Sequence, residues 1–429
     1  MTKVLVLGAY GLIGAEVFRA IVSAGYQAIG FGRNEFSANR VLPYAQWRFG
    51  DLQELLTADD WQTYLQDITH VVNCAGALQD GASTDLDLIH AKSITALADV
   101  CAKMDIGLIQ ISAVGANLDA TTEFMRSKAR GDIAIQQSAT RYWIIRPGLV
   151  IAKSAFGGTQ LIRMLASVPW VQPMALADSR IQITNVRDIS QFVIHVLEEK
   201  VQANQVVDLV AHEKLTLADI VVQHRAWLGL KPAILTMNLP SRAISWVAKG
   251  ADTLSRLGWR SPLRSTAIQV LSQGIIATPH NIQGVQSRSL RETLGEIPAY
   301  SEDRLAARMA ILMPVAVAIL SIFWLISGVI GMLRLEQAAI VLTDIGWTGW
   351  FARASVIFWA IFDIALGAGI LIRRFAKLAC VGMVCLSLFY LVATTIFVPH
   401  LWLDPLGPMI KVLPSIVLAM IVRVMLEER

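Results

Sequence analysis

The sequence predicts an α/β chain in which a doubly wound parallel-sheet domain is followed by an all-α bundle of four membrane-spanning helices. Three observations predict it. Short apolar runs alternate with helical patterns through the first half, a glycine-rich turn joins the first run to the first helix, and the apolar excess is concentrated in four long stretches near the C-terminal end. Of 429 residues, 55% are hydrophobic and 16% charged, with a mean hydropathy of +0.52. Soluble chains average about 45–50% apolar and about 25% charged, so disorder is excluded and a purely soluble protein is not expected. A formal charge of +4 on so few charged residues does not point to nucleic acid as a partner. Cys74, Cys101, Cys380 and Cys385 form no CxxC pair, which indicates neither a metal site nor a disulfide framework.

Taken in order, Lys3–Leu7 (KVLVL) is a continuous apolar run, as a strand buried on both faces requires. It leads directly into GAYGLIG and then a helical pattern through Ala24. Gly8, Gly11 and Gly14 allow a tight turn and let backbone N–H groups approach a pyrophosphate, to which the helix N-terminus adds its partial positive charge. Gly8, Tyr10, Gly11, Leu12, Ile13 and Gly14 are therefore candidate cofactor contacts. A second strand, Gln27–Gly32, ends at Arg33. An acid there would bond the ribose 2′-OH of NAD, whereas an arginine can pair with the 2′-phosphate of NADP, or simply be a solvated loop cation. Further strands are expected before Gly50-Asp51-Leu52, at His70–Cys74 leading into Ala75-Gly76, at Gly107–Ser112 and at Tyr142–Pro147. Alternation of this kind implies right-handed crossovers, with ligands at the carboxyl ends of the strands. Gly8, Arg33, Asp51, Gly76, Ser112 and Pro147 all fall there.

Asn204–Val210 reads as a late strand, and Thr216 as the cap of a helix reaching Leu228. From Lys231 to Arg264, six basic residues (Lys231, Arg242, Lys249, Arg256, Arg260 and Arg264) stand against one acid, Asp252, a net of +5. Ile244, Val247, Ala251 and Leu254 recur at helical spacing, while Trp246 shares the face of Arg242 and Lys249. Two readings stand: a helix lying on anionic lipid headgroups, or one packed on the sheet near the substrate. Thr278–Asp303, with Pro279, Gly284, Gly295 and Pro298, reads as the linker to the membrane. The domains are therefore expected at 1–230, 231–303 and 304–429.

The spans are expected at about 309–333, 354–372, 378–398 and 406–426, each long enough to cross a hydrocarbon core of about 30 Å. Arg304 and Arg308 precede the first, and Arg373, Arg374 and Lys377 fill the second loop without an acid. Lys and Arg accumulate on the cytoplasmic side, so both termini and the second loop are expected there, with Trp347, Trp350 and Trp402 at the outer interface. The start of the chain lacks the features of a signal peptide. Asp363 lies mid-span, where a carboxylate costs roughly 2.5–3.5 kcal/mol. It reads either as a helix-joining group, with Lys411 as candidate partner, or as a site for a quinone headgroup or a proton. Cys380 and Cys385 read as small packing residues.

These motifs resemble the extended and atypical short-chain dehydrogenase/reductases, the NAD(P)-binding Rossmann group that includes NmrA-like proteins and the nucleotide-binding accessory subunit of respiratory complex I. The resemblance rests on GAYGLIG, Arg33, Gly50-Asp51-Leu52, Asn73-Cys74-Ala75-Gly76, Ile111–Ala113, Lys128 and Arg146–Gly148. It implies that the Asp51 side chain approaches the adenine, that Ala75 and Gly76 line the cofactor, and that Lys128 holds the nicotinamide ribose; Leu52 and Pro147 are further candidate cofactor contacts. The C-terminal third resembles the DoxX-like membrane family through Trp324–Gly328, Asp363–Gly367 and Pro405–Lys411. Together these imply a multi-pass protein of a bacterial inner (cytoplasmic) membrane.

One departure stands out. The family's catalytic unit is a serine, a tyrosine and a lysine four residues after the tyrosine. Ser112 and Lys128 are present, but the tyrosine position is Phe124. Losing a positioned acid or base removes ~10²–10⁴-fold in rate. Tyr142 lies in an expected strand; Thr121 or Thr122 either relays a proton or begins a helix with Glu123. The expected function is a membrane-anchored NAD(P)H-binding oxidoreductase-like protein, NADP(H) preferred over NAD(H), with a quinone or other lipid-soluble acceptor. The alternatives are a non-catalytic nucleotide-binding structural or assembly protein, in contact with a respiratory or membrane complex, and a redox sensor.

Overall fold

The computed structural model describes residues 2–78, 84–259, 261, 263–405 and 407–427. Arg260 and residue 406, which fall in readings given above, lie outside the described residues. The chain divides into two compact units, Met1–Asp252 with Ser261–Arg304, and Thr253–Arg260 with Leu305–Arg429.

The first unit is built on a seven-stranded parallel sheet. Its strands are β1 (Lys3–Leu7), β2 (Gln27–Gly32), β3 (Gln46–Phe49), β4 (His70–Asn73), β5 (Gly107–Ile111) and β6 (Tyr142–Pro147), with Gln205–Leu209 beside β6. From that edge the order runs Gln205–Leu209, β6, β5, β4, β1, β2, β3. Chain order reverses between β1 and β4, where open α/β sheets form their ligand crevice. Register levels the strand ends: Leu7 lies opposite both Phe31 and Asn73, and Ile111 opposite Ile145.

β1 is apolar and buried from Val4 to Leu7 because both of its faces are covered. Val4 and Val6 pack with Val17, Phe18 and Ile21 of α1 (Leu12–Ser23) and with Phe192 and Val193 of the helix Val186–Leu197. Leu5 and Leu7 pack on the other side with Trp61, Leu97 and Leu108. Full burial of each such side chain contributes about 1.5–3 kcal/mol. The helices that cross between strands are α1, α2 (Glu35–Val41), α3 (Ala58–Gln62), α4 (Ser93–Lys103) and α5 (Glu123–Gln137). Thr216 caps Leu217–Trp227 through a capping box with Asp219.

The stretch Thr278–Asp303 is not a free linker. Ser289 and Glu292 form the capping box of a helix, Leu290–Glu296, and His280 Nδ1 accepts from the Asp208 N–H at 3.1 Å. Arg288 pairs with the buried Asp188, and Asp303 accepts from Lys153 Nζ at 2.7 Å. Its glycines and prolines mark turns, as read, but its polar residues find partners within the first unit. Residues 261–303 group with the first compact unit, and 253–260 with the second. Ahead of them, Leu235–Asn238 pairs with Val171–Met174, and Ser241–Arg256 is a helix.

Among the described residues, four helices are long and apolar enough to cross a membrane, and from Leu305 on they belong to the second unit: Ser301–Leu333, Gly349–Gly369, Arg373–Phe397 and Pro408–Glu427. Along the first, Met313, Val317, Leu320 and Trp324 face the bundle, while Leu312, Val315, Ile319, Ile322 and Ile326 face outward. An outward face this apolar suits lipid rather than water. A short helix, Leu335–Thr343, follows the first span. The first two spans approach closely: a Cβ at Gly328 would stand 2.5 Å from the Ala360 carbonyl oxygen, and Ser321 Oγ donates to the Gly367 carbonyl at 2.7 Å. Small residues and hydroxyl bonds of this kind hold membrane helices together.

Candidate functional site

The carboxyl end of the sheet gathers the residues singled out in the sequence. Gly8 leaves β1 with φ of +69°, and its N–H donates to the Phe31 carbonyl at 2.9 Å. A Cβ there would lie 2.9 Å from the Ala75 backbone, so β1 and the end of β4 close on each other only with glycine at this position. Gly14, in the first turn of α1, is tighter: its Cβ would stand 2.3 Å from the Gly8 carbonyl oxygen. The two glycines keep the opening of α1 folded against the strand end. No side chain caps α1 at Gly11, so its first N–H groups, starting with those of Leu12 and Ile13, are available to an anion. The Tyr10 ring lies over Gly32.

At the ends of β2 and β3, Arg33 and Asp51 come within 3.8 Å of each other, both partly open to solvent. Asp51 Oδ1 also accepts from the Gln53 N–H at 3.0 Å, and Leu52 is buried. An ion pair this long and this open contributes little. At the end of β4, the buried Asn73 donates to Gln110 Oε1 at 2.8 Å and accepts from the Ala75 N–H at 3.0 Å, which fixes the Ala75-Gly76 backbone.

Position follows from helix periodicity on α5, where Phe124, Lys128 and Asp132 recur every four residues along one face, Lys128 and Asp132 reaching the ends of β5 and β6. Lys128 is buried and donates from Nζ to the Ile111 carbonyl at 2.9 Å. Burial lowers its pKa to about 8, against the pull of Asp132 in the opposite direction. Ser112 Oγ donates to Asp132 Oδ2 at 2.7 Å, and Arg146 donates to the same oxygen from Nε at 3.2 Å and Nη2 at 3.1 Å. Burial raises the Asp132 carboxyl, and the Ser112 and Arg146 bonds draw it back down. A hydroxyl has one proton, so with that proton on Asp132 Ser112 offers a ligand only lone pairs.

His90 completes the cluster. Its Nε2 accepts from the Ala77 N–H at 3.1 Å, which leaves the ring proton on Nδ1, 2.9 Å from Ser127 Oγ; that hydroxyl donates onward to the Phe124 carbonyl. Burial, with Lys128 and Arg130 nearby, keeps the imidazole neutral by lowering its pKa well below the usual value. A Cβ at Gly76 would stand 3.1 Å from His90 Nε2 and 3.3 Å from Lys128 Nζ, so the glycine, the histidine and the lysine meet at one spot. The Phe124 ring packs edge-on against His90 at 5.8 Å.

Thr122 is the N-cap of α5, accepting from the Met125 N–H at 3.4 Å, and Thr121 Oγ1 accepts from Gln273 at 2.7 Å. Both have structural duties. Tyr142 opens β6, at the end of that strand opposite Pro147. Asp132 and His90 were not read from the sequence. The four-residue step from Lys128 to Asp132 was the available signal for the first; nothing local marks the second.

In the membrane unit, Asp363 is buried and accepts from Ser327 Oγ at 3.0 Å and from Tyr390 OH at 3.0 Å. The expected partner Lys411 is thereby corrected. Among the described residues the bonds of Asp363 come from Ser327 on the first span and Tyr390 on the third, which the two oxygens join to the second.

Comparison with known proteins agrees with this division. Residues 4–209 match the NAD dependent epimerase/dehydratase family, and residues 321–420 match the DoxX-like family. The chain thus carries a region similar to the NAD dependent epimerase/dehydratase family ahead of one similar to the DoxX-like family. Its epimerase-like domain is similar to a dTDP-glucose 4,6-dehydratase from Bacillus anthracis in complex with NAD, at 16% identity over 56% of this chain and 85% of that one, with a TM-score of 0.47. A UDP-glucuronic acid 4-epimerase from Bacillus cereus in complex with NAD is similar at 17% identity, over 57% and 92% of the two chains, with a TM-score of 0.45. The Bordetella bronchiseptica enzyme WbmH in complex with NAD+ is similar at 13% identity, over 56% and 86%, with a TM-score of 0.48. No curated protein matches the chain.

Proposed function

We propose that this chain is a membrane-anchored oxidoreductase that prefers NADP(H) to NAD(H) and reduces a quinone-like, lipid-soluble acceptor. The residues present suit a dinucleotide. Gly8 and Gly14 leave room where side chains would intrude, the first amides of α1 face the opening, and Lys128 lies at the ends of β4 and β5. In this reading Gly8, Tyr10, Gly11, Leu12, Ile13 and Gly14 hold the pyrophosphate, Asp51 and Leu52 meet the adenine, and Ala75, Gly76 and Pro147 line the nicotinamide end. Lys128 bonds the nicotinamide ribose. Arg33, where an NAD-selective site would carry an acid, supports the NADP preference through a bond to the 2′-phosphate.

A reduced nicotinamide supplies a hydride there. The observation that carries the choice of acceptor is the pair Phe124 and Ser112: the first has no proton, and the second gives its proton to Asp132. A simple carbonyl substrate therefore lacks the donor that its oxygen needs. A quinone takes hydride into a conjugated system and its proton from solvent, so that NADPH, a proton and the quinone give NADP+ and the quinol. Four membrane helices on the same chain keep such an acceptor close. Asp363 is the proposed headgroup or proton site. The basic second loop, Arg373, Arg374 and Lys377, supports an inner-membrane topology with the nucleotide domain and the C-terminus in the cytoplasm.

The test is NADPH oxidation by the full chain in lipid nanodiscs, with short-chain quinones and with aldehydes. Quinone-dependent turnover without aldehyde reduction is expected. Phe124 also favours a second reading, a nucleotide-binding structural, assembly or sensor protein. Tight NADPH binding with no turnover of any acceptor supports that one instead.

A further inference from the structure

In the helix Ser241–Arg256 the fully buried side chains are the small ones. Ala248 and Ala251 are buried, with Ile244 and Ser255 partly so beside them. Its larger apolar residues point the other way: Trp246 is 77% exposed, and Val247, Leu254 and the following Leu257 are open as well. At about 100° per residue these four fall within one arc, and Arg242, Lys249 and Arg256 form a narrower basic arc along its edge. An apolar stripe containing tryptophan and bordered by cations is the pattern of a helix that lies in a membrane interface.

The chain itself says which membrane. Just past the helix, the Leu257 carbonyl accepts from the Arg373 N–H at 2.9 Å, and Trp259 Nε1 donates to the Leu371 carbonyl at 2.6 Å. The Arg373 guanidinium lies over the Trp259 ring at 5.8 Å. Residues 370–372 are the turn between the second and third spans, where those spans leave the hydrocarbon. The helix is thus fastened at its C-terminal end to the level of the lipid headgroups.

We propose that Ser241–Arg256 lies in the headgroup layer of an anionic bilayer, with Trp246, Val247, Leu254 and Leu257 toward the acyl chains and the basic arc against lipid phosphates. A segment with a net of +5 favours anionic over zwitterionic lipid, because its charges act within about a Debye length of the surface. The proposal rests on the membrane anchor alone and stands whether or not the protein turns over a quinone.

The test uses the full chain with its four native cysteines replaced by alanine, in nanodiscs of phosphatidylcholine with or without phosphatidylglycerol. Spin labels at Val247→Cys and Leu254→Cys are compared with one at Tyr44→Cys, a fully exposed position. Expected is preferential relaxation by oxygen at 247 and 254, by a water-soluble nickel chelate at 44, and stronger immersion with phosphatidylglycerol. Each of Arg242→Gln and Arg256→Gln should lower the ratio of immersed to water-exposed label about fivefold in anionic discs. Nickel accessibility at 247 and 254 equal to that at 44 would overturn the proposal. So would shielding from both quenchers that persists in lipid-free detergent, which means a protein partner, and immersion indifferent to lipid charge would overturn its anionic part.

Discussion

Replacing Gly14 by alanine separates helix formation from nucleotide binding. The new Cβ would stand 2.3 Å from the Gly8 carbonyl oxygen and 2.9 Å from the Ala9 Cα, both backbone atoms that have no rotamer to escape into. Carbon and oxygen in contact settle at about 3.3–3.6 Å, so the start of α1 must withdraw from the strand end by about 1 Å. A backbone N–H bond to phosphate of about 2.9 Å then falls outside hydrogen-bonding range. A charge-assisted bond contributes about 1.5–3 kcal/mol, which places the loss of NADPH affinity between about 10- and 150-fold. Alanine is a better helix former than glycine by about 1 kcal/mol, which offsets part of the strain and keeps α1 helical. The assay is titration of NADPH fluorescence with the protein in nanodiscs, alongside circular dichroism and thermal unfolding. Gly295→Ala, with nothing within 4 Å of its Cβ, is the neutral control. An affinity for Gly14→Ala within threefold of wild type, with unfolding unchanged, would refute the placement of the phosphates on α1.

Asp132→Ala should destabilise the nucleotide domain by about 3 kcal/mol, the low end for a broken buried pair because Arg146 keeps some solvent, and Asp132→Asn by less; chemical unfolding measures both. Lys128 has a folded pKa of about 8 below its unfolded value, so the unfolded state binds more protons above pH 8. Wild type should therefore gain stability relative to Lys128→Met as pH rises from 8 toward 10, and its NADPH affinity should fall over the same range; thermal unfolding and titration at pH 7.5 and 9.5 check the two. Asp363→Asn should raise the KM for quinone while leaving NADPH affinity unchanged, and an unaltered KM in steady-state assays would remove Asp363 from the acceptor site.

Where the physics is local and periodic, the fold could be read directly. KVLVL reads as a doubly buried strand because no polar residue interrupts it, and GAYGLIG announces a turn because its glycines would clash as anything else. The membrane helices are legible for a similar reason, since lipid demands apolar length whatever the bundle's arrangement. Partnerships across the chain were harder. Asp363 in an apolar span calls for a partner, and charge counting points to a cation such as Lys411, whereas a hydroxyl on another span leaves no mark in the charge pattern. Asp188 and Arg288 are 100 residues apart, and their pairing makes a folded flank out of a stretch whose composition reads as linker. At the carboxyl end of the sheet the sequence singled out Ser112, Lys128 and the missing tyrosine. That Ser112 spends its proton on Asp132 is a matter of three-dimensional geometry, and it changes what the serine can do.

The most direct measurement is equilibrium binding of NADPH and NADH to the full-length protein in nanodiscs, for wild type and Arg33→Ala. The account predicts saturable binding of both with NADPH tighter, and a selective loss of NADPH affinity in the variant. Failure to retain either nucleotide would contradict it, and equal affinity for the two, unmoved by Arg33→Ala, would contradict the assignment of NADP(H).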